Sequence, residues 1–336
     1  MSDIIPIPIE KMKHVFFTVL VKYGFVKQKA DECAEIFTIN SVDGVYSHSV
    51  NRFVSFIKLV ENGFVIPNND PEKVSGMNAL EQWDGKLGVG VLNAVKATDR
   101  AMQLASNYGM GCVALANTNH WMRGGYYGWH AAKNNFVFIG WTNTIANMPA
   151  WGATDARLGN NPLVIAVPYN GQAIVLDMAT SQFSYGALEM AKMKGEDLPV
   201  HGGFNIKGEL TKNPSDILES KRVLPVGYWK GAGLSLLLDI LSAILSGGLS
   251  THEITQRKTE YGLSQVFIAI DYKQLKNYKG IETCIENIIT DYKQSIAEAE
   301  KEIVFPGERV LKTRKWNLKN GVPVMKNLWS EIESLL

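Results

Sequence analysis

The sequence predicts a chain that is helical at both ends and sheet-forming in the middle, without the regular strand–helix alternation of a doubly wound fold. Three observations carry this. Residues 9–23 and the tail space their apolar side chains near a 3.6 period. Between them stand short, nearly continuous apolar runs rich in β-branched residues, as buried strands require. Helices separate only some of those runs.

Taken in order, Met12, Val15, Phe16, Val19 and Leu20 mark the inner face of a first helix, and Cys33, Ile36, Phe37 and Ile39 that of a second over 27–42. Gly44 interrupts it. Ser47 is then a suitable N-cap for a third helix through Val60, with Gly63 as its C′ residue. After Pro71 a Gly-punctuated segment leads to a helix near 90–107. Its apolar face is Val91, Ala94, Val95, Ala101 and Met102, with Thr98 filling the turn between. The strand runs are "GCVALAN" (111–117), "FVFIGW" (136–141), "LVIAVP" (163–168), "AIVLDM" (173–178) and "QVFIAIDY" (265–272). Pro168-Tyr169-Asn170-Gly171 joins two of them as a hairpin, Asn-Gly being the informative pair. The polar, Gly/Pro-rich stretch 194–228 reads as a mobile flap. Residues 234–245 read as a buried helix closed by Gly247-Gly248, interrupted by Asp239 and too short to span a bilayer. The segments 281–304 and 322–336 return to amphipathic helix.

At 336 residues the chain favours two domains, or one large core with an appendage. A balance of 34 basic against 33 acidic residues gives no general pull on nucleic acid or an anionic membrane, so neither is an expected partner. The start, "MSDIIPIPIEK", is a poor signal peptide. Cys33, Cys112 and Cys284 form no C-x-x-C pair, which points to reduced thiols in a cytoplasmic protein. No His-x-x-x-His or carboxylate cluster suggests a metal, and no G-x-S-x-G elbow suggests a hydrolase.

Polar groups gather at strand ends: Thr118, Asn119 and His120; Thr142, Asn143 and Thr144; Asp177, Thr180 and Ser181. Any one of them serves equally as a turn cap. In "GVYSHSVNRF", His48 and Arg52 stand at i and i+4, one face of a helix. Arg52 can grip a carboxylate through two parallel hydrogen bonds, and a nearby helix N-terminus favours neutral imidazole at His48. The pair suits chemistry beside a carboxylic acid, although spacing alone favours a solvated helix face. Ser47 beside His48 fits a nucleophile–base pair poorly, because adjacent helix residues diverge by about 100°. His120 sits in "NTNHWMRGGYYGWH", whose Gly124-Gly125 allows close approach to a ligand, or a plain structural turn. Gly88 to Asn93 is an incomplete G-x-G-x-x-G and is rejected as a dinucleotide fingerprint. Lys230 with Gly231 and Gly233, leading into the apolar helix, makes a possible anion site or a plain helix start.

Together "GVYSHSVNRF", "ANTNHWMRGGYYGW", "GWTNT", "MPAWGATDARLGNNPL", "LDMATSQFSYG", "PVGYWKGAGLSLLLD" and "YGLSQVFIAI" resemble the malate/L-lactate/ureidoglycolate dehydrogenase family, from about residue 10 to the C-terminus. The resemblance implies an α+β, non-Rossmann fold. A helical domain (1–75, completed by 276–336) would flank a cofactor-binding domain (76–275) with a mixed, largely antiparallel sheet. It also implies a homodimer, NADH or NADPH as cofactor, and a small keto acid as substrate. By position His48 matches the general acid, Ser47 and Arg52 its neighbours, and His120 a pocket histidine. Cofactor contacts fall on Ile174, Val175, Leu176, Asp177, Met178, Ala179 and Thr180, on Trp229 and Lys230, and on Gly307, Glu308 and Arg309. Two departures stand out: Asn160 where the family has Thr, and the basic "HWMRGG", which fits a polar sugar acid. Reduction then needs protonated His48, with Asp177 or a bound carboxylate raising its proton affinity. The readings from other classes are a sugar-acid-binding protein without chemistry and a hydrolase using Ser47 and His48.

Overall fold

The computed structural model describes residues 4–336. The chain begins with β1 (Ile4–Ile7), α1 (Ile9–Lys22) and α2 (Lys27–Val42), and the expected residues of both helices face inward, Ile39 only partly. The third helix does not start at Ser47. Two 3-10 turns, Tyr46–His48 and Val50–Arg52, come first, and α3 (Phe53–Glu61) follows. Ser49 is the cause. Its hydroxyl donates to the Phe37 carbonyl and pairs with the Ser41 hydroxyl, pinning the chain to the end of α2 and taking Ser49 to φ −151°, ψ −113°.

Next come β2 (Glu72–Met77), β3 (Leu80–Asp84), α4 (Gly90–Tyr108), β4 (Met110–Thr118), α5 (Gly125–Lys133) and β5 (Val137–Thr142). The short β6 (Met148–Pro149) and β7 (Ala156–Leu158) precede β8 (Leu163–Tyr169), β9 (Gln172–Met178) and α6 (Tyr185–Lys194). Then follow β10 (Gly203–Phe204), β11 (Leu210–Thr211), α7 (Pro214–Ser220), α8 (Trp229–Ser246), α9 (Thr251–Gln256) and β12 (Leu263–Ile270). The chain closes with α10 (Tyr278–Lys293), α11 (Glu308–Asn320), β13 (Val322–Met325) and α12 (Lys326–Glu333).

Seven strands form one mixed sheet in the order β2-β3-β4-β12-β5-β8-β9, in which only β3 and β4 run parallel. The sheet is the expected largely antiparallel, non-Rossmann one. All five anticipated strands lie in it, and Asn170 (φ 47°) and Gly171 (φ 68°) make the two-residue turn between β8 and β9. The β2–β3 hairpin escaped the sequence reading, because β2 is exposed along its whole length and shows no apolar run. Alternate residues of β4 and β12 face opposite ways. Val113, Leu115, Phe267 and Ala269 pack under α4, while Ala114 and Val266 pack with Leu238 of α8. Beside the sheet, Phe16, Phe37, Phe53 and Phe56 stack into a core that also takes Val322, Val324, Trp329 and Ile332 from the far end of the chain.

Three expectations need correction. The stretch 194–228 is an ordered unit carrying β10, β11 and α7, anchored by buried Leu198, Ile217 and Val223. The apolar helix starts at Trp229, so it has 18 residues, long and apolar enough to cross a membrane by length and composition. It is docked on the sheet instead, yet not buried: Leu236, Leu237, Ile240, Leu241 and Ile244 stand 37–64% exposed. The segments 281–304 and 322–336 are helical only in part. α10 ends at Lys293, α11 covers 308–320, and 322–325 is a strand paired with β1.

Candidate active site

A cleft of about 620 Å³ opens between the stretch Ser47 to Leu59, the turn at His120, the loops after β5 and β7, and the first turns of α6. The 3-10 turns that displace α3 aim His48 and Arg52 into it, and the end of β4 delivers His120. The two imidazoles face one another, centroids 5.8 Å apart and planes 21° from parallel. His120 Nδ1 accepts the Met122 N–H at 2.9 Å, so in the neutral ring Nε2 carries the proton.

Ser47 Oγ lies 3.0 Å from His48 Nδ1. The expected divergence of these side chains fails because the segment is not α-helical. Gly186 wedges α6 against Ser47, where a β-carbon on residue 186 would come within 2.7 Å of Ser47 Cβ. With Nδ1 engaged by the hydroxyl, His48 presents Nε2 as its proton-transferring atom.

Both rings sit deep in the cleft with their edges open to it. Desolvation first, then the positive charges of Arg52 and Arg123, lowers the His48 pKa to about 4. The helix dipole invoked for it is absent, since no α-helix begins there. Desolvation, Arg52 and His48 push His120 well below the usual range. Asp177 does not line the cleft. Its carboxylate accepts the Gly125 N–H at 2.7 Å, and crowding by surrounding protein raises its pKa against the pull of Arg123 and that amide. It is therefore not the group that would raise the proton affinity of His48.

Arg52 Nη2 stands 3.5 Å from Glu260 Oε1, and Glu260 Oε2 accepts the Ile145 N–H at 3.1 Å. Asn160, the departure from the family pattern, accepts from Thr144 Oγ1 (3.2 Å) and Asn147 Nδ2 (3.0 Å) at the cleft wall. Glu189 and Glu260 were missed by the sequence reading. Neither belongs to a motif, and only the folded chain brings them to His48.

None of the expected cofactor residues lines this cleft. They run instead along β9 and its ends. The Pro306 carbonyl accepts the Val175 N–H at 3.0 Å, which seats the Gly307-Glu308-Arg309 turn on Val175. At the other end the Thr180 carbonyl accepts the Val226 N–H at 2.8 Å, which seats the start of α8, with Trp229 and Lys230, beside Thr180. Thr180 N in turn donates to the Asn160 carbonyl at 2.8 Å, joining this track to the cleft wall. Glu308 is committed to Lys293 (2.5 Å) and to the Phe305 amide (3.2 Å), while Arg309 is exposed. Gly231 and Gly233 lie inside the first turns of α8, not in a loop before it, so the turn at its start is Pro225 to Tyr228. Among the described residues no three His, Cys, Asp or Glu side chains converge as a metal site.

The sequence profile of the malate/L-lactate dehydrogenase family matches residues 7–333. A 2,3-diketo-L-gulonate reductase from Citrobacter koseri is 44% identical over 97% of this chain and 98% of its own. One from Escherichia coli K12 matches to the same extent. Among solved structures, a malate dehydrogenase from Entamoeba histolytica superposes with a TM-score of 0.93 over 99% of this chain and 97% of its own, and at 23% identity it speaks for the fold alone. A sulfolactate dehydrogenase from Methanocaldococcus jannaschii, 29% identical, gives 0.88 over 98% and 96%.

Proposed function

The chain belongs to the malate/L-lactate dehydrogenase family and is an oxidoreductase, and from that premise we propose that it reduces a 2-keto sugar acid, 2,3-diketo-L-gulonate to 3-keto-L-gulonate, with NADH or NADPH. The observation that carries the substrate is the full-length likeness to the diketogulonate reductases.

The cofactor reading is supported by the residues along β9. Among the described residues the Thr180 hydroxyl is buried without a partner, and Gly307 at φ 93° is tightly seated, a β-carbon there coming within 3.2 Å of Trp129 and Val175 N. Trp229 and Lys230 stand exposed beside them. Ile174 to Thr180, Trp229, Lys230 and Gly307 to Arg309 would hold the dinucleotide, which when bound supplies a hydride. His48 Nε2 gives a proton to the 2-oxygen as it gains charge, and His120 Nε2–H donates a hydrogen bond to that oxygen. Arg52 grips the carboxylate. The test is a panel of keto acids with NADH and NADPH in parallel, followed by loss of reduced-nicotinamide absorbance. Faster turnover of oxaloacetate or pyruvate than of diketogulonate would overturn the substrate. Arg52→Lys, losing the planar fork, should raise KM for the keto acid by about tenfold or more with kcat little changed; an unchanged KM refutes the clamp.

We further infer a homodimer, with the exposed face of α8 covered by a second copy, since single-chain surfaces rarely leave so much contiguous apolar area open. Leu237→Glu with Ile244→Glu should convert a dimeric wild type to monomer in light scattering behind size exclusion. An unchanged mass sinks this use of the face. The domain division we propose is 1–75 with 276–336 against 76–275. The shared aromatic core of the two chain ends supports it, and Val310 and Leu311 of α11 bridge to the sheet. Cys33, Cys112 and Cys284 are all free thiols, in keeping with a cytoplasmic protein.

A further inference from the structure

Of the described residues lining the His48 cleft, Arg52 alone carries a fixed positive charge, while Glu189 and Glu260 are both carboxylates. We propose that these two glutamates select the charge of the substrate, so that the cleft takes a 2-keto acid with one carboxylate and a neutral hydroxylated tail and turns dicarboxylates away. The inference rests on reading the cleft as a keto-acid site.

Charge arithmetic is the first argument. Arg52 faces the Glu260 carboxylate with Nη2 at 3.5 Å and has its remaining donors for one substrate carboxylate. A second would face two glutamates with no fixed cation left for it, because His48 and His120 carry no permanent charge and the proton His48 takes up goes to the 2-oxygen. The fixation of Glu260 is the second. Its side chain is only 17% exposed, one oxygen accepts the Ile145 N–H at 3.1 Å, and the other faces Arg52 at 3.5 Å. Contacts at both oxygens restrain it from swinging away from an arriving anion. It holds one edge of the Arg52 guanidinium toward the cleft while the remaining donors stay available. The character of the rest of the wall is the third. Asn51, Ser55, Asn147 and Ser184 are neutral hydrogen-bonding side chains, and a carboxylate accepts from a hydroxyl more strongly than a neutral group does. Hydroxyls along a sugar-acid tail therefore meet acceptors where a second carboxylate meets repulsion.

The test titrates the cofactor-loaded protein, by calorimetry, with 2-hydroxybutyrate and with malate, which are alike in length and differ by the second carboxylate. The wild type should bind 2-hydroxybutyrate at least about tenfold tighter, equivalent to about 1.4 kcal/mol. Glu189→Gln and Glu260→Gln should each narrow that gap, mainly by strengthening malate, and the double variant should close it. Equal or tighter malate binding by the wild type, binding of neither ligand, or an undiminished gap in the variants overturns the proposal. Should Glu260→Gln fail to fold, Glu189→Gln alone must narrow the gap. Loss of the diketogulonate assignment is read separately. A protein that prefers the monoacid but does not reduce diketogulonate refutes the proposed substrate and upholds the charge selection. One that reduces diketogulonate yet binds the two acids equally does the reverse.

Discussion

Replacing His48 by Gln should lower turnover of keto-acid reduction by about 10²- to 10⁴-fold, the range for loss of a general acid. Gln keeps a hydrogen-bond donor in the cleft but has no proton to give. Reduced-nicotinamide binding, read by quenching of tryptophan fluorescence, should stay intact, because none of the expected cofactor residues lines the cleft. Near-wild-type turnover in this variant would remove His48 from the mechanism. The pH dependence is the sharper signature. The free protein holds His48 at about pKa 4, so at neutral pH the ring is almost wholly unprotonated. Reduction consumes a proton, and kcat/KM reports the free enzyme. For the keto acid it should therefore fall about tenfold per pH unit above pKa 4. In the oxidative direction neutral His48 is already the base, and kcat/KM should be flat across the neutral range. His48→Gln should flatten the reductive profile; a sloping one in the variant assigns the titration to another group.

The surroundings of His48 are built by features that single-sequence periodicity reads unevenly. The central strand β12 was legible because burial on both faces writes itself as an unbroken apolar run, "QVFIAI", while "AIVLDM" is as apolar in sequence although it lies at the sheet edge and buries only alternate residues. The hairpin at Asn170-Gly171 was legible because a tight two-residue turn demands positive φ at both positions. The 3-10 interruption at Tyr46 to Arg52 was not, because the Ser49–Phe37 contact that causes it joins residues whose proximity only the fold creates. His48 and Arg52 do not share the α-helical face that their i, i+4 spacing suggests, yet they meet in one cleft. Spacing drew attention to the pair, and the family likeness assigned its roles. Glu189 and Glu260 had no local signal. The exposed face of α8 was misread as core, because an apolar run reads the same in sequence whether or not its own chain covers it.

The second large effect should come from Asp43, which does not line the cleft. Its carboxylate is 1% exposed and accepts from Arg314 Nε (2.5 Å) and Nη2 (2.8 Å) and from Arg123 Nη1, whose side chain is 3% exposed. Burial alone would raise the Asp43 pKa; Arg314 and Arg123 outweigh it and hold the carboxyl below its ordinary value. Asp43→Ala leaves the Arg123 charge buried without a counter-ion, and should cost about 3–5 kcal/mol in denaturant unfolding. Asp43→Ala with Arg123→Met should recover part of that loss, since the orphaned charge is gone; a double variant no better than the single would place the cost in packing instead. The sign with pH follows from the depressed pKa. The contribution is present above the unfolded carboxyl value and is lost as pH falls through the folded one, so wild type and variant should converge in acid. Asp43 should also act on the chemistry. Arg52 and Arg123 lower the proton affinity of His48, and Asp43 is the counter-ion of Arg123. Asp43→Asn, which keeps the shape and removes the charge, should therefore displace the reductive pH profile further toward acid and lower kcat/KM at neutral pH. A profile that stays in place, in a protein that is measurably less stable, would confine Asp43 to holding α2, the His120 turn and α11 together.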